Sequence, residues 1–126
     1  MDVTQLRFTA THEWVRLDGE IAVIGITDFA VHQLTDLVFI ELPPVGKTVT
    51  QSEIMATVES VKAAGDVYAP VSGEVVEANT GLAKTLAVLS EDPFGRGWLV
   101  KIRLSNAAQL GQLMNHAAYV ALTAKV

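Results

Sequence analysis

The histidines of this chain lack the spacing of a metal site. His12, His32 and His116 are spread along 126 residues, and no cysteine is present to join them. Zinc sites usually take histidine and cysteine ligands that lie a few residues apart. The nucleophile motif G-x-S-x-G, the P-loop and the dinucleotide-binding G-x-G-x-x-G are missing as well. The sequence therefore predicts neither a metal centre nor a catalytic residue.

Lys62 stands out because of its neighbours. It lies between two strand-like segments, 54–61 and 65–69, and the small residues Ala63 and Ala64 follow it directly. A tight turn between two paired strands projects its side chains away from the sheet and holds them in a fixed register. An amine presented in this way can be acylated by an enzyme that closes over the turn, and acylation removes its charge. A solvated turn lysine fits the same spacing, so the pattern alone leaves both interpretations open.

The surroundings of Lys62 are acidic. Between residues 51 and 80 it is the only base, and it is accompanied by five acids: Glu53, Glu59, Asp66, Glu74 and Glu77. The whole chain carries a net charge of −5. This balance argues against nucleic acids and anionic membranes as partners.

The sequence contains no signal for a membrane or for secretion. Its longest unbroken apolar run, residues 117–122, has six members, whereas a membrane-spanning helix needs about 20. Residues 1–5 lack the basic start and the apolar segment of a signal peptide. We therefore expect a cytoplasmic protein, or one of the mitochondrial matrix if a presequence has been removed.

Most of the sequence has the pattern of short strands. Segments 14–17 and 20–24 flank Asp18-Gly19, a strong signal for a β-hairpin. Residues 37–42 are mostly β-branched or aromatic and apolar, which predicts a strand buried on both faces, and Pro43-Pro44 ends it. Further strands are predicted at 74–78 and 98–104, with a turn-rich loop at 80–96 between them.

Helices are predicted only at the edges of this β structure. Thr27 or Asp28 can cap a short helix that ends at Leu34, because a side-chain oxygen can accept hydrogen bonds from free amide groups. From residue 105 onward the apolar residues follow a helical period, with a break near Asn115. The residues expected to share the helical face are Leu110, Leu113, Met114, Ala117 and Val120. Many short strands with helices at the edges indicate a mainly β fold, a sandwich or flattened barrel.

Lys62 also belongs to a longer motif. The residues are Glu59-Ser60-Val61-Lys62-Ala63, the run from Asp66 to Val75, and Asn79. This segment resembles the lipoyl-attachment segment of glycine cleavage H proteins, whereas biotinyl domains place their lysine in Met-Lys-Met. Four other blocks of that family occur in order, within residues 8–14, 25–30, 38–43 and 92–99. The resemblance covers residues 8–119, nearly the whole chain.

The resemblance implies a fold. Members of this family form a barrel-sandwich hybrid, as lipoyl and biotinyl carriers do, with two antiparallel sheets and the lysine on an exposed hairpin. For this chain it implies one domain over residues 1–126, a short helix near 28–34 and C-terminal helices at about 106–123.

The resemblance also implies a carrier rather than an enzyme, with lipoic acid attached covalently to Lys62. In this family the lipoyl arm receives an aminomethyl group from a pyridoxal-phosphate-dependent glycine decarboxylase, the P protein. The group passes to a tetrahydrofolate-dependent aminomethyltransferase, the T protein, and dihydrolipoamide dehydrogenase, the L protein, reoxidises the arm. A lipoyl or octanoyl transferase, or a lipoate ligase, attaches the lipoyl group. The difficult chemistry belongs to the cofactors.

Three residues close to Lys62 are candidates for recognition. They lie on either side of the lysine, near the loop end of the expected hairpin, and are Glu59, Ser60 and Asp66. Charge complementarity acts mainly on the rate of encounter, so we expect these residues to help the lipoylating enzyme to find Lys62.

A second candidate site lies near the N-terminus. The family is expected to fold its loaded arm back against the protein, where a protonated amine needs acceptors. Thr11, His12 and Glu13, with Asp66 facing them, are our candidates for this cradle. Thr11 and Glu13 are equally explained as the beginning of the strand at Trp14.

The chain departs from the family pattern at three positions. Thr35 stands where glycine is usual, Leu86 where proline is common, and Ser90 where asparagine is common. A β-branched residue tolerates positive φ poorly, so the turn at Thr35 and the loop at 81–92 are the expected places of local change.

Two other functions stay open. One alternative is a relay protein that donates lipoyl groups to 2-oxoacid dehydrogenases. The other is a structural β module in which Lys62 is an ordinary surface lysine.

Overall fold

Nine short strands form the framework of the computed structural model, which describes residues 3–124. The strands are β1 (Arg7–Phe8), β2 (Glu13–Asp18), β3 (Ile21–Ile26), β4 (Leu37–Glu41), β5 (Thr48–Val49), β6 (Ile54–Ser60), β7 (Ala64–Tyr68), β8 (Gly73–Ala78) and β9 (Val100–Leu104). The α-helices are α1 (Asp28–Leu34), α2 (Ala87–Glu91) and α3 (His116–Thr123), and 3₁₀ helices cover Val3–Gln5, Thr80–Ala83 and Ala107–Gln112.

The strands form two antiparallel sheets. The larger sheet has the order β1-β2-β3-β9-β8-β5, and the smaller has the order β4-β6-β7. Apolar side chains from both sheets meet in one core, in which Ile24 and Ile102 of the larger sheet and Val58 of the smaller are 0% exposed. This arrangement confirms the mainly β fold of two antiparallel sheets with short helices at its edges.

The predicted β2–β3 hairpin forms, with its turn one residue beyond Asp18-Gly19. Its loop is Gly19-Glu20, and Gly19 has φ +64, a value that glycine adopts without strain. At the other end, the indole N–H of Trp14 donates to the carbonyls of Ile26 at 3.1 Å and Pro93 at 3.0 Å. A Cβ on Gly25 would lie 2.6 Å from the Trp14 ring, so only glycine leaves room for it.

The helix α1 confirms its predicted start and end. Thr27 is the N-cap, and its hydroxyl accepts the amide of Ala30 at 3.3 Å. Within residues 3–124, no helix is both long and apolar enough to cross a membrane.

The prediction of a strand buried on both faces at 37–42 is wrong. β4 lies at the edge of the smaller sheet and pairs with β6 alone. As a result Val38 and Phe39 are 55% and 48% exposed. A run of apolar residues does not distinguish a central strand from an edge strand, because both can be rich in β-branched and aromatic side chains.

The C-terminal region is divided at the predicted residue but presents a different face. Asn115 caps α3 by accepting the amide of Ala118. Val120, predicted to face the core, is 47% exposed, whereas Tyr119 is 5% exposed. The segment before α3 is a 3₁₀ helix with about three residues per turn, so a period of 3.6 cannot be extended through it.

The segment 80–96 is more regular than predicted, since it contains a 3₁₀ turn and α2. Leu86 precedes α2 with φ −59, close to the value that proline imposes. Ser90 is exposed on α2. The two departures from the family pattern in this loop therefore fit the local backbone.

Candidate functional site

Lys62 lies at the tip of the β6–β7 hairpin, in a loop of three residues, 61–63. Ser60 closes this loop at its base. Its amide donates to the Ala63 carbonyl at 2.7 Å, and its hydroxyl donates to the same carbonyl at 3.1 Å. The hydroxyl also accepts the Ala63 amide at 3.1 Å. These hydrogen bonds hold the backbone of Lys62 in one place.

A neighbouring turn supports the loop from the side. The Val61 amide donates to the carbonyl of Asp36 at 3.0 Å. Asp36 follows Thr35, which has φ +64 and ψ −125. The turn thus adopts a conformation that favours glycine in spite of its β-branched residue, and this strained turn contacts the loop that carries Lys62.

The side chain of Lys62 is exposed, and its ammonium group forms no salt bridge with any carboxylate in residues 3–124. Glu59 and Asp66 are exposed too. Glu59 pairs with Ala64 and Asp66 pairs with Thr57, so the two acids are diagonal neighbours on one face of the hairpin. Ser60, the third recognition candidate, is 8% exposed, and its hydroxyl is occupied within the loop.

A cleft of about 150 Å³ lies against the lower part of the same hairpin. It brings together all four residues proposed as a cradle: Thr11, His12, Glu13 and Asp66. The remaining lining is Ile26, Ala30, Gln33, Leu34, Val58, Gly65 and Val67. We call this cleft the Glu13 pocket. It combines acidic groups with a mainly apolar wall, which suits a small cation on an apolar arm.

Glu13 is the first residue of β2 and is 1% exposed. Its Oε1 accepts the hydroxyl of Thr9 at 2.6 Å and the hydroxyl of Thr11, and its Oε2 accepts the Tyr68 amide at 3.3 Å. Burial raises the pKa of Glu13 above its ordinary value of 4.5, and the hydrogen bonds from Thr11, Thr9 and Tyr68 oppose that rise. Because Oε2 takes only one long hydrogen bond from the described residues, it keeps capacity for another donor.

His12 forms another part of the wall. Its Nδ1 lies 2.7 Å from the Tyr119 hydroxyl, which in turn lies 2.7 Å from the Thr27 hydroxyl. The ring also packs on Phe29, with the centroids 4.7 Å apart. Burial lowers the pKa of His12 and raises that of Tyr119. His12 has φ +74, a left-handed conformation that histidine adopts more readily than most residues.

Two residues that support this pocket, Thr9 and Tyr119, were not predicted from the sequence. Thr9 could have been found, since a hydroxyl four residues before a carboxylate is within reach of it in a turn. Tyr119 left no such signal, because it is separated from His12 by 107 positions. No cluster of three or more metal-ligating side chains occurs in residues 3–124.

Known proteins resemble this chain over nearly its full length. The family model for the glycine cleavage H-protein matches residues 6–126. The glycine cleavage system H protein of Parvibaculum lavamentivorans is 53% identical over 117 residues, which cover 93% of this chain and 94% of that protein. The corresponding protein of Bradyrhizobium diazoefficiens is 49% identical over 97% of this chain and all of its own length.

A solved structure agrees with these relatives. The crystal structure of a glycine cleavage system H protein from Mycobacterium marinum has a TM-score of 0.89 and 36% sequence identity to this chain. It covers 96% of this chain, and this chain covers 98% of it. The family match spans the Lys62 hairpin and the Glu13 pocket alike. The chain therefore belongs to the glycine cleavage H-protein family, the non-catalytic carriers of the glycine cleavage system.

Proposed function

We propose that this carrier works with lipoic acid attached as an amide to Lys62. The observation that carries the proposal is the position of that amine at the tip of a closed loop, exposed and without a salt bridge in the described residues. The partners are those of the glycine cleavage system: the glycine decarboxylase, the aminomethyltransferase and dihydrolipoamide dehydrogenase. A cytoplasmic location stays a prediction from the sequence, and residues 1–2 of the segment on which it rests lie outside the described residues.

The residues around Lys62 fit a lipoyl group. Ala63 and Ala64 have small side chains and are exposed, so they leave room for an enzyme to close over the amine. When bound, lipoate supplies a disulfide that takes up an aminomethyl group and electrons. The chain positions the arm. The hydrogen bonds of Ser60 restrict the backbone at Lys62, where the arm is attached, and this reduces the conformational freedom lost when a partner binds the arm.

Glu59, Ser60 and Asp66 have different parts in recognition. Glu59 and Asp66 present two anions beside the lysine, whereas Ser60 acts indirectly by keeping the loop closed. Charge reversal by Glu59→Lys should slow lipoylation several-fold at low ionic strength and less at high salt, because salt screens encounter between exposed charges. Glu20→Lys is the matched control, since it makes the same change in net charge on the exposed β2–β3 loop. Equal rates for the two variants at low salt would remove Glu59 from recognition.

The Glu13 pocket is the proposed resting place of the loaded arm. An aminomethyl group on a thiol is prone to hydrolysis, so shielding from water prolongs its life. Thr9 and Thr11 hold the Glu13 carboxylate in one orientation, and its Oε2 can accept a hydrogen bond from a protonated amine. Such a charge-assisted bond is stronger in a partly desolvated cleft than in water.

Replacement of Glu13 tests this resting place. Glu13→Gln keeps the shape and the acceptor oxygen but removes the charge, so lipoylation should proceed normally while the loaded protein loses ammonia faster. Glu41→Gln, at an exposed carboxylate outside the pocket, should behave as the wild type. Equal rates of ammonia release from wild type and Glu13→Gln would remove Glu13 from the site.

Reconstitution distinguishes the carrier from a lipoyl relay. The lipoylated chain should support glycine–bicarbonate exchange by a glycine decarboxylase, since its relatives are glycine cleavage proteins. A relay protein would instead pass its lipoyl group to a 2-oxoacid dehydrogenase and would not support exchange. Transfer of the lipoyl group to a 2-oxoacid dehydrogenase, without glycine–bicarbonate exchange, would contradict the proposal.

A further inference from the structure

Two hydroxyl groups link His12 to the helices that flank it. The Tyr119 hydroxyl on α3 lies 2.7 Å from both the His12 Nδ1 and the Thr27 hydroxyl. Thr27 is 0% exposed and Tyr119 is 5% exposed, so neither hydroxyl can rely on bulk water for a partner. The direction in which each group donates therefore decides the protonation of His12.

A count of donors gives that direction. The Thr27 oxygen already accepts the Ala30 amide as the N-cap of α1, and its hydrogen still needs an acceptor. In residues 3–124 the acceptor at hand is the Tyr119 hydroxyl. Tyr119 then receives from Thr27 and donates its own hydrogen to Nδ1. A ring nitrogen that accepts a hydrogen bond carries no proton, so His12 is neutral with its hydrogen on Nε2.

We propose that Tyr119 is a positioning residue of the Glu13 pocket: it holds His12 as the neutral Nε2–H imidazole, so that Glu13 and Asp66 are the charged groups of the lining. The inference rests on the proposed function of this pocket as a site for a protonated amine. An imidazolium at position 12 would repel such an amine and would compete with it for the two carboxylates.

The charges near His12 explain why such a restraint is needed. Glu13 follows it in the chain and Asp66 lines the same pocket, and both anions favour a protonated imidazole. The other ionisable side chains on the elements around it are Asp28 and His32 on α1, His116 and Tyr119 on α3, and Tyr68 on β7. Burial opposes protonation of His12, and the hydrogen-bond chain acts in the same direction. A proton on Nδ1 would reverse the chain and leave the Thr27 hydrogen without an acceptor.

The tautomer can be measured on the full wild-type chain without lipoate. Long-range proton–nitrogen spectra of protein labelled with ¹⁵N at histidine distinguish protonated from unprotonated ring nitrogens. At a pH above the ordinary histidine value of 6.5, we expect His12 to have an unprotonated Nδ1 and a protonated Nε2. A proton on Nδ1 would overturn the inference, and this measurement needs no variant that must fold.

Tyr119→Phe tests the cause. It removes the hydroxyl and keeps the ring that stacks on Phe8, with centroids 4.6 Å apart. The titration midpoint of His12 should rise by about 0.5 to 1 pH unit, the equivalent of one lost hydrogen bond.

The other two histidines are internal controls for that variant. His116 packs near Phe8 at 5.8 Å and would report a shift of α3, whereas His32 is exposed on α1. We expect the ring resonances of both to keep their chemical shifts at a fixed pH. An unchanged or lower midpoint at His12, or changed ring resonances at all three histidines, would contradict a specific role for the hydroxyl.

Ammonia release from the loaded protein separates this inference from the proposed function. Release should accelerate as the pH falls through the His12 midpoint, and it should do so at a higher pH in Tyr119→Phe. His12→Asn tolerates a left-handed backbone but does not titrate, so it should keep only the acceleration that protonation of Glu13 causes at lower pH. One common pH profile for all three proteins, together with the expected tautomer, would reject the pocket as the resting place and leave the restraint on His12 intact. A protonated Nδ1 in the wild type would reject the restraint and leave the pocket's function untouched.

Discussion

The Lys62 loop is exposed and is closed mainly by Ser60, whereas the Glu13 pocket is a cleft around a buried carboxylate and is assembled from several distant segments. Both use the β6–β7 hairpin. Val58 and Gly65 line the pocket, and the loop begins three residues beyond Val58, which is roughly 10 Å at the usual rise of a strand. One hairpin thus serves the root of the arm and the place where the arm is proposed to rest.

The difference shows that one site is built mainly on local contacts and the other on long-range contacts. The loop depends mainly on contacts within a few residues, and the hydrogen bond from the Val61 amide to the Asp36 carbonyl is its link to a more distant turn. The pocket depends on β2, α1, α3 and β7 at once, so changes in any of these elements reach it. We expect substitutions in the loop to affect attachment, and substitutions around the pocket to affect pH dependence and stability.

The largest effect is expected at the tip of the loop. Lys62→Arg should abolish lipoylation, because arginine keeps the charge but has no amine suited to amide formation. Intact mass after expression in a lipoate-competent host measures this loss. The corresponding changes at Lys47, Lys84, Lys101 and Lys125 should leave the lipoyl mass in place; Lys125 lies outside the described residues. Lipoate mapped to any of those four lysines would contradict the prediction.

We expect the buried carboxyl group of Glu13 to make the stability of the protein depend on pH. The pKa of Glu13 in the folded chain lies above its ordinary value of 4.5 because of burial. The folded state then binds this proton more tightly than the unfolded state. The contribution of Glu13 to the free energy of unfolding is therefore greatest below pH 4.5 and declines as the pH rises through the folded pKa.

Urea unfolding at a series of pH values measures that decline. The free energy of unfolding of wild type relative to Glu13→Gln should fall as the pH rises above 4.5. Glu41→Gln, at an exposed carboxylate outside the pocket, is the matched control. A difference that increases with pH for Glu13→Gln would show that its buried carboxylate is stabilised rather than destabilised by its surroundings.

A smaller effect is expected at Ser60, which closes the Lys62 loop. Ser60→Ala removes both hydrogen bonds of the hydroxyl, and the free energy of unfolding should fall by about 1 kcal/mol. Hydrogen exchange at the Ala63 amide should become faster. Ser90→Ala, at an exposed serine of α2, is the control. Unchanged exchange at Ala63 would mean that the backbone bond alone closes the loop.

The smallest effect is expected at the strained turn beside the loop. Thr35→Gly should raise the free energy of unfolding by about 0.5 to 1 kcal/mol, because relief of the positive φ exceeds the added freedom of the unfolded chain. Thr35→Ala keeps a Cβ and should change stability little. Urea unfolding compares the two variants, and a loss of stability in Thr35→Gly would show that the threonine contacts outweigh the strain.

The sequence predicted the loop because its determinants are local. The two strand patterns and the helix cap are each read over a few positions. The strands form within one residue of their predicted bounds, and Thr27 is the cap of the two residues considered. The resemblance to known carriers pointed to Thr11, His12 and Glu13, which do meet Asp66 in one cleft.

What the sequence could not predict depends on tertiary packing. Val38 and Phe39 look like core residues, but their exposure follows from the position of β4 at a sheet edge. Val120, expected on the apolar face, is exposed and Tyr119 is buried in its place, because the preceding 3₁₀ turn changes the phase of the helix. The contact of Tyr119 with His12 joins the two ends of the chain and has no local pattern.

The closed loop also bears on how the protein survives proteases. An exposed lysine at a loop tip is an obvious site for trypsin-like cleavage, but a protease must draw several residues into an extended conformation before it can cut. The bonds between Ser60 and Ala63, and between Val61 and Asp36, must break first. Cleavage at Lys62 should therefore proceed only through local unfolding of the hairpin, so the loop can offer its amine to an acylating enzyme while its peptide bonds stay protected.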